Sequence, residues 1–195
     1  MSNTSPHHRR SIRLRDYDYT QNGAYFVTLC THERVCLFGK VVGDAVAVNA
    51  WGAIVQAEWA RTAVLRPQVE LDAFVVMPNH VHGIIVIFGD EKVVDGRRGM
   101  MHSAANAKKS VGATRRVAPT RPNGPPSNSL GAIIGQFKSV VTKRIRQLAD
   151  ENDAVQVWQR NYYEHIIRSE ASLDDFRAYI ANNPARWRED SMFVG

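Results

Sequence analysis

Two histidines near the middle of the chain stand at a spacing that can support metal chemistry. His80 and His82 flank Val81, and on a β-strand residues at i and i+2 point to the same face of the sheet. Two neutral imidazoles placed in this way can bind one divalent cation. The alternative is a pair of histidines satisfied by hydrogen bonds at the end of a strand, because a His-x-His pattern by itself is a weak signal.

A tyrosine and an asparagine near the C-terminus form a second candidate pair. Tyr179 and Asn183 are four residues apart, so on a helix they lie on one face, about one turn from each other. A phenol and an amide oxygen could then face one site. In the structural alternative, Tyr179 packs its ring on the sheet and Asn183 caps the helix before Pro184. Periodicity does not distinguish these interpretations.

The two cysteines allow a further metal hypothesis. Cys30, His32 and Cys36 form a Cys-x-His-x3-Cys pattern, which contains suitable ligands for zinc. The alternating apolar residues around Cys30 favour a buried strand position instead. Since two cysteines in a chain without an export signal do not make a disulfide framework, we expect both to be reduced thiols.

Apolar patterns along the chain predict the elements that would position these side chains. Runs rich in β-branched and aromatic residues predict strands and a short hairpin. These segments are residues 24–31, 35–42 (the hairpin), 70–77, 81–88 and, for the last strand, 155–158 with 163–167.

Helical spacing of apolar residues predicts three helices. The first is expected at residues 49–65 with Asn49 as N-cap, and the second at residues 130–148. The third is expected to be capped by Ser172 and to end near residue 182 or 183, before Pro184. The order of elements predicts an α+β fold, with helices on one face of an antiparallel sheet as in ferredoxin-like folds.

The net charge of +6 in this 195-residue chain is concentrated in two segments. Residues 96–127 carry seven basic and no acidic residues, residues 2–15 carry four basic and no acidic residues, and the remainder sums to −5. This distribution excludes a uniformly basic fold. We expect a basic N-terminal arm at residues 1–15 and one domain at 16–195 that contains a basic insertion at about 90–128.

Apolar periodicity disappears across that insertion, which we expect to be disordered or to become ordered on binding. A solubilising linker is the alternative. The chain has no run of about 18 apolar residues, and its N-terminus lacks the apolar centre of a secretory signal. The sequence therefore predicts a cytoplasmic protein without a membrane partner.

Four sequence blocks, in this order, carry a resemblance to a known family. They are Met-Pro-Asn-His-Val-His-Gly (77–83), Leu-Gly-Ala-Ile-Ile-Gly-Gln-Phe-Lys-Ser (130–139), Trp-Gln-Arg-Asn-Tyr-Tyr-Glu-His-Ile-Ile-Arg (158–168) and Tyr-Ile-x-x-Asn-Pro (179–184). Together they resemble the REP-associated tyrosine transposases, single-tyrosine relatives of the HUH endonucleases that move or cut single-stranded DNA. The resemblance covers about residues 12–187 apart from the insertion.

The resemblance implies a ferredoxin-like HUH fold and a role for each candidate residue. His80 and His82 match the pair that holds a divalent metal, Mg²⁺ or Mn²⁺, and Asn183 matches the amide that completes the metal site. Related insertion-sequence transposases have glutamine at that position. Tyr179 matches the nucleophile that forms a covalent 5′-phosphotyrosine and releases a 3′-OH. No role follows for Glu164 or His165 in the third block.

Family members recognise DNA hairpins of short palindromic repeats, so the resemblance implies single-stranded or hairpin DNA as partner and a place at the bacterial nucleoid. Monomer and homodimer both remain open. A solvated surface lysine is the alternative role for Lys138. The candidate phosphate contacts are Arg9, Arg10, Arg13, Arg15, Arg97, Arg98, Arg115, Arg116 and Lys138.

Two other functions remain open beside strand transfer. One is a catalytically silent nucleic-acid-binding protein that keeps the fold and the basic segments. The other is a protein-interaction domain with a fortuitous His-x-His.

Overall fold

The computed structural model describes residues 17–88, 125–149 and 155–194. The strands are β1 Gly23–Cys30, β2 Gly39–Val42, β3 Ala45–Val48, β4 Val69–Val76, β5 His80–Ile87 and β6 Tyr163–Ile167. The helices are α1 Ala50–Leu65, α2 Leu130–Leu148 and α3 Glu170–Asn182, with short 3₁₀ helices at His32–Arg34 and Trp187–Glu189. The N-terminal arm and residues 89–124 of the predicted insertion lie outside the described residues.

Four strands form an antiparallel sheet in the order β4-β5-β1-β6. The crossovers through α1 and α2 place β1 between β5 and β6, which is the ferredoxin-like arrangement. The predicted α+β class with an antiparallel sheet is therefore confirmed. In the pairing of β1 with β5, Thr28 lies opposite His82 and Cys30 lies opposite His80.

Both faces of this sheet are covered. Val27, Val81 and Ile85 pack with α1 and α2 on one face, as the sequence predicts. Alternate residues on the other face, among them Phe26 and Ile84, pack against α3. The prediction that all the helices lie on one face is therefore wrong for α3, which covers the opposite face. The central strands β1 and β5 are apolar on both faces, and each face must be removed from water.

The glycine that follows the two histidines is explained by packing. A Cβ atom on Gly83 would lie 2.4 Å from the ring of Trp59, which is closer than non-bonded carbon atoms approach. Trp59 belongs to α1 and stacks on Phe74 of β4, with ring centroids 4.5 Å apart. Glycine thus lets α1 sit directly behind the strand that carries the histidines.

Helix boundaries agree closely with the sequence prediction except at the start of α3. Asn49 caps α1 by accepting hydrogen bonds from the amides of Trp51 and Gly52, as predicted. The prediction that Ser172 caps α3 is wrong: Ser169 is the N-cap and accepts from the Ser172 amide. Only Arg168 separates Ser169 from the end of β6, so the helix begins one turn earlier than a Ser172 cap would place it.

Two strand predictions also differ from the structure. The short hairpin spans β2 and β3 rather than residues 35–42, because the chain turns at Gly43, whose φ of +61° suits glycine. Residues 155–158 form no strand, and Trp158 makes one isolated bridge to Thr31. No helix within the described ranges is long and apolar enough to cross a membrane.

Candidate active site

The two histidines of β5 lie side by side under α3. His80 and His82 are both buried, and their ring centroids are 4.5 Å apart. Val81 between them points into the core formed with α1 and α2. The expectation that the histidines share one face of the sheet is therefore confirmed, and that face is the one covered by α3.

A neighbouring asparagine fixes the proton of His80. The Asn79 side-chain amide donates to the carbonyl oxygens of Arg34 at 3.1 Å and Met192 at 2.8 Å. Its Oδ1 must therefore face His80 Nδ1, 2.9 Å away. Because Oδ1 only accepts, Nδ1 is the nitrogen that carries the proton. The lone pair of His80 is left on Nε2, which is how a metal-binding histidine is oriented.

His82 is held between a threonine and the candidate nucleophile. Its Nδ1 lies 2.8 Å from Thr28 Oγ1 on β1, and its ring stacks on Phe26 with centroids 5.3 Å apart. The other nitrogen, Nε2, lies 3.4 Å from the Tyr179 hydroxyl. The tyrosine oxygen is thus adjacent to the histidine pair.

The segment after α3 brings a carboxylate that sequence reasoning missed. Asp190 Oδ2 lies 3.8 Å from His80 Nε2, and one ligand atom from each of His80, His82 and Asp190 lies within 4.8 Å of the others. The Met192 amide donates to Asp190 Oδ1 at 2.7 Å. In the sequence Asp190 follows another acid, Glu189, and nothing in the pattern distinguishes the two.

Asn183 connects α3 to this carboxylate. Its Nδ2 donates to Asp190 Oδ2 at 2.9 Å, while its backbone is the C-cap of α3. Both sequence interpretations of Asn183 thus describe its placement, since it ends the helix and also turns its amide into the site. Tyr179 lies on the same helix and is 45% exposed, so its ring is not simply packed into the sheet.

Both imidazoles of the site are neutral, and two of its buried acceptor atoms lack a donor among the described residues. Burial lowers the pKa of His80 to about 4, against the opposing effect of Asp190. Burial and the neighbouring His80 lower the pKa of His82, so both imidazoles are neutral at pH 7. Buried His80 Nε2 and Asn183 Oδ1 have no hydrogen-bond partner within the described ranges. Such a donor set fits a divalent cation.

The phenol is held in its neutral form in this environment. Burial raises the pKa of Tyr179, and the nearby Asp190 carboxylate raises it further. Burial disfavours the charged phenolate, and the Asp190 carboxylate repels a second negative charge beside it. A positive charge near Asp190 would act in the opposite direction and make the phenolate easier to form.

A similar protein is found in Haemophilus influenzae. The chain is 39% identical over 192 residues to an uncharacterized protein of Haemophilus influenzae (strain Rd). The aligned region covers 98% of this chain and 97% of the relative. The chain belongs to the family of this Haemophilus protein. No family model matches the sequence.

The fold also matches a solved structure. A REP-associated tyrosine transposase bound to a REP hairpin superposes with a TM-score of 0.54 and 18% identity, over 90% of this chain and 73% of that one. The chain therefore has the fold of a REP-associated tyrosine transposase, as the four sequence blocks indicate.

Within this transposase fold, Lys138 contacts the backbone of the segment before β6. Its ammonium donates to the carbonyl oxygens of Gln159, Arg160 and Asn161 in the segment before β6. Burial lowers the pKa of Lys138 to about 8, which leaves it mostly protonated at pH 7. The structure thus places it as an anchor for that segment, and its contact with phosphate stays a prediction.

The other candidate residues are the predicted phosphate-binding arginines and the two cysteines. All eight arginines predicted to contact phosphate, four in the N-terminal arm and four in the insertion, lie outside the described residues. Cys30 and Cys36 are both free, and Cys36 is exposed. Among described residues they do not form a metal-binding group with His32.

Proposed function

We propose that this protein cleaves and rejoins single-stranded, hairpin-forming DNA through a covalent bond to Tyr179. The observation that carries the proposal is the exposed phenol placed 3.4 Å from His82 Nε2, beside a buried set of nitrogen and oxygen ligands. The transposase fold supports it, and the solved relative with that fold is bound to a REP hairpin.

The proposed metal ligands are His80 Nε2, His82 Nε2 and the carboxylate of Asp190, with Asn183 Oδ1 beside them. A divalent cation, Mg²⁺ or Mn²⁺, would polarise the scissile phosphate and stabilise its developing negative charge when bound. Carboxylate and amide oxygens together with imidazole suit such an ion. Asn79 and Thr28 keep the two imidazoles oriented, so that the ring nitrogens need not reorganise.

In the proposed reaction, Tyr179 Oη attacks phosphorus as its proton leaves. A bond forms between Oη and phosphorus, and the bond from phosphorus to O3′ breaks. The leaving oxygen takes up a proton and becomes a free 3′-OH, while the 5′-phosphate remains attached to Tyr179. Attack by a 3′-OH on this phosphotyrosine reverses the step and joins strands.

The decisive experiment is the search for a covalent adduct. Wild-type protein is incubated with single-stranded DNA from the flanks of its own gene and with Mg²⁺ or Mn²⁺, and adducts are resolved on a denaturing gel. Tyr179→Phe removes only the nucleophilic oxygen and should abolish the adduct while DNA binding is retained. Tyr17→Phe, which changes a phenol outside the site, is the matched control.

Two outcomes would contradict the proposal. An adduct mapped to Tyr162 or Tyr163 would show that the nucleophile is wrongly assigned. A protein that binds hairpin DNA equally well with chelator and never forms an adduct would be the catalytically silent binding protein instead. Loss of cleavage with retained binding in His80→Ala would support the metal role independently.

A further inference from the structure

An open cleft adjoins the candidate nucleophile, and part of its lining, from β6 and the segment before it, has no role in the strand transfer proposed above. It has a volume of about 680 Å³, and Tyr179 and His82 both line it. The other walls come from β1, from residues 159–163 and from α3. Its size is that of a small-molecule pocket, so it can admit a ligand that extends from the reacting phosphate.

Flat aromatic rings form much of the lining. Phe26 lies at its base and stacks on Phe176 of α3, with ring centroids 4.5 Å apart. Tyr163, the first residue of β6, meets Phe26 edge-on at 6.4 Å and is 45% exposed. Rings that are fixed from behind and open to solvent in front are the usual platform for unpaired bases.

Polar groups stand on the same cleft. Gln159 and Asn161 line it, and amide side chains can both donate to and accept from the edges of bases. Their backbone is held in place, because Lys138 donates to the carbonyl oxygens of both residues and the Gln159 amide donates to Cys30 O at 3.0 Å. This wall is therefore formed before any ligand arrives.

We propose that this cleft holds one unpaired nucleobase of the substrate strand, next to the phosphate that Tyr179 attacks. The inference rests on the proposed function. A nucleobase has the required combination of a flat apolar face and a polar edge. A purely apolar ligand would make no use of the amides of Gln159 and Asn161, and a base paired in a duplex would first have to be unpaired and unstacked.

The first experiment identifies which base of the substrate strand contributes to binding. A single-stranded oligonucleotide from the flank of the gene is made with an abasic site at each position in turn, and its binding to the full chain is measured by fluorescence anisotropy with chelator present. The abasic site at one position should weaken binding about 10-fold, which is the size of effect expected for the loss of a stacked base. A 2-aminopurine at that position should be quenched on binding.

Variants of Tyr163 identify the cleft as the place of that base. Tyr163→Leu removes the ring, so the intact oligonucleotide and the abasic one should bind equally well. Tyr163→Phe keeps the ring and should retain the difference. Leu148→Ala changes an exposed apolar side chain at the end of α2 and serves as the control that leaves the difference unchanged.

The outcomes separate this inference from the proposed function. Suppose that an adduct forms at Tyr179 but that Tyr163→Leu does not change the loss of binding caused by an abasic site at any position. The cleft inference is then overturned and strand cleavage stands. Suppose instead that Tyr163→Leu abolishes the loss of binding at one abasic position but that no adduct forms. The cleft inference is then supported and the cleavage proposal fails.

Discussion

The side chain of His80 has one nitrogen committed and one available. Asn79 Oδ1 accepts a hydrogen bond from Nδ1–H, while Nε2 lies 3.8 Å from the Asp190 carboxylate. A neutral nitrogen and a carboxylate oxygen repel each other unless a cation lies near both. A cation bound between His80 Nε2 and the Asp190 carboxylate would remove this repulsion.

Asp190 provides the test of this arrangement. Asp190→Asn keeps the size of the side chain and removes its charge, so the affinity for Mn²⁺ should fall at least about 10-fold. Isothermal titration calorimetry on metal-free protein measures the change. Glu189→Gln removes an exposed carboxylate one residue away, 69% exposed and paired with Arg186, and should leave the affinity unchanged.

Equal Mn²⁺ affinities in the wild type and Asp190→Asn would remove Asp190 from the proposed ligand set. The histidines and Asn183 would then remain as the candidate ligands.

At the scale of elements, α3 determines whether the site exists. It carries Tyr179 and ends at Asn183, and it packs on the sheet through Leu173 and Ile180. A second attachment is ionic: the Arg177 guanidinium forms two hydrogen bonds to Asp72 of β4, at 3.0 and 2.6 Å. This two-point contact fixes the rotation of α3 about its axis, and Tyr179 is only two residues away.

Removing this attachment should loosen the nucleophile as well as the fold. Arg177 is 40% exposed and Asp72 24% exposed, so solvent screening limits the contribution of the pair, and Arg177→Met should lower the free energy of unfolding by about 1 kcal/mol. Urea denaturation measures this loss. The rate of adduct formation should fall in parallel, because Tyr179 loses its fixed position.

Arg61→Met is the stability control, since Arg61 is 57% exposed and its distance to Glu58 is 3.8 Å. We expect its effect to be within about 0.5 kcal/mol. If Arg177→Met and Asp72→Asn have strictly additive effects on unfolding in a double-mutant cycle, the pair does not couple α3 to β4.

At the scale of the whole molecule, charge and chemistry are located in different segments. Residues 96–127 carry seven basic residues without an acid, and the chain outside the two basic segments sums to −5. The candidate site is part of that acidic remainder and contains Asp190. A phosphate therefore needs attraction from elsewhere to approach it, and the basic segments can supply this attraction.

Replacing residues 96–127 by a short Gly-Ser linker should weaken hairpin DNA binding. Since up to seven phosphate contacts are lost, the slope of log K against log salt should flatten by up to about six. Anisotropy titrations at several salt concentrations give both quantities. A second variant of unchanged length, with the seven basic residues replaced by glutamine, separates charge from length. Unchanged affinity and slope in both variants would identify the segment as a solubilising linker.

Local sequence patterns were sufficient to predict most of the helices and strands and four of the candidate site residues, His80, His82, Tyr179 and Asn183. Strand and helix periods are local properties of the chain, so α2 was predicted with its observed bounds and Asn49 was recognised as a cap. The spacing of His80 and His82 also fixed that they share a face, because alternation along a strand does not depend on the rest of the fold.

The groups that face those histidines depend on how the helices pack on the sheet. Periodicity cannot tell which face of the sheet a helix covers, and the crossing of α3 to the second face brings Tyr179 and Asn183 to the histidines. Asp190 has no sequence signal, because it reaches His80 through a turn after α3 and not through any repeat. Contacts between residues more than a hundred positions apart, as from His80 to Asp190, depend on how complete elements pack, and packing is set by the whole core.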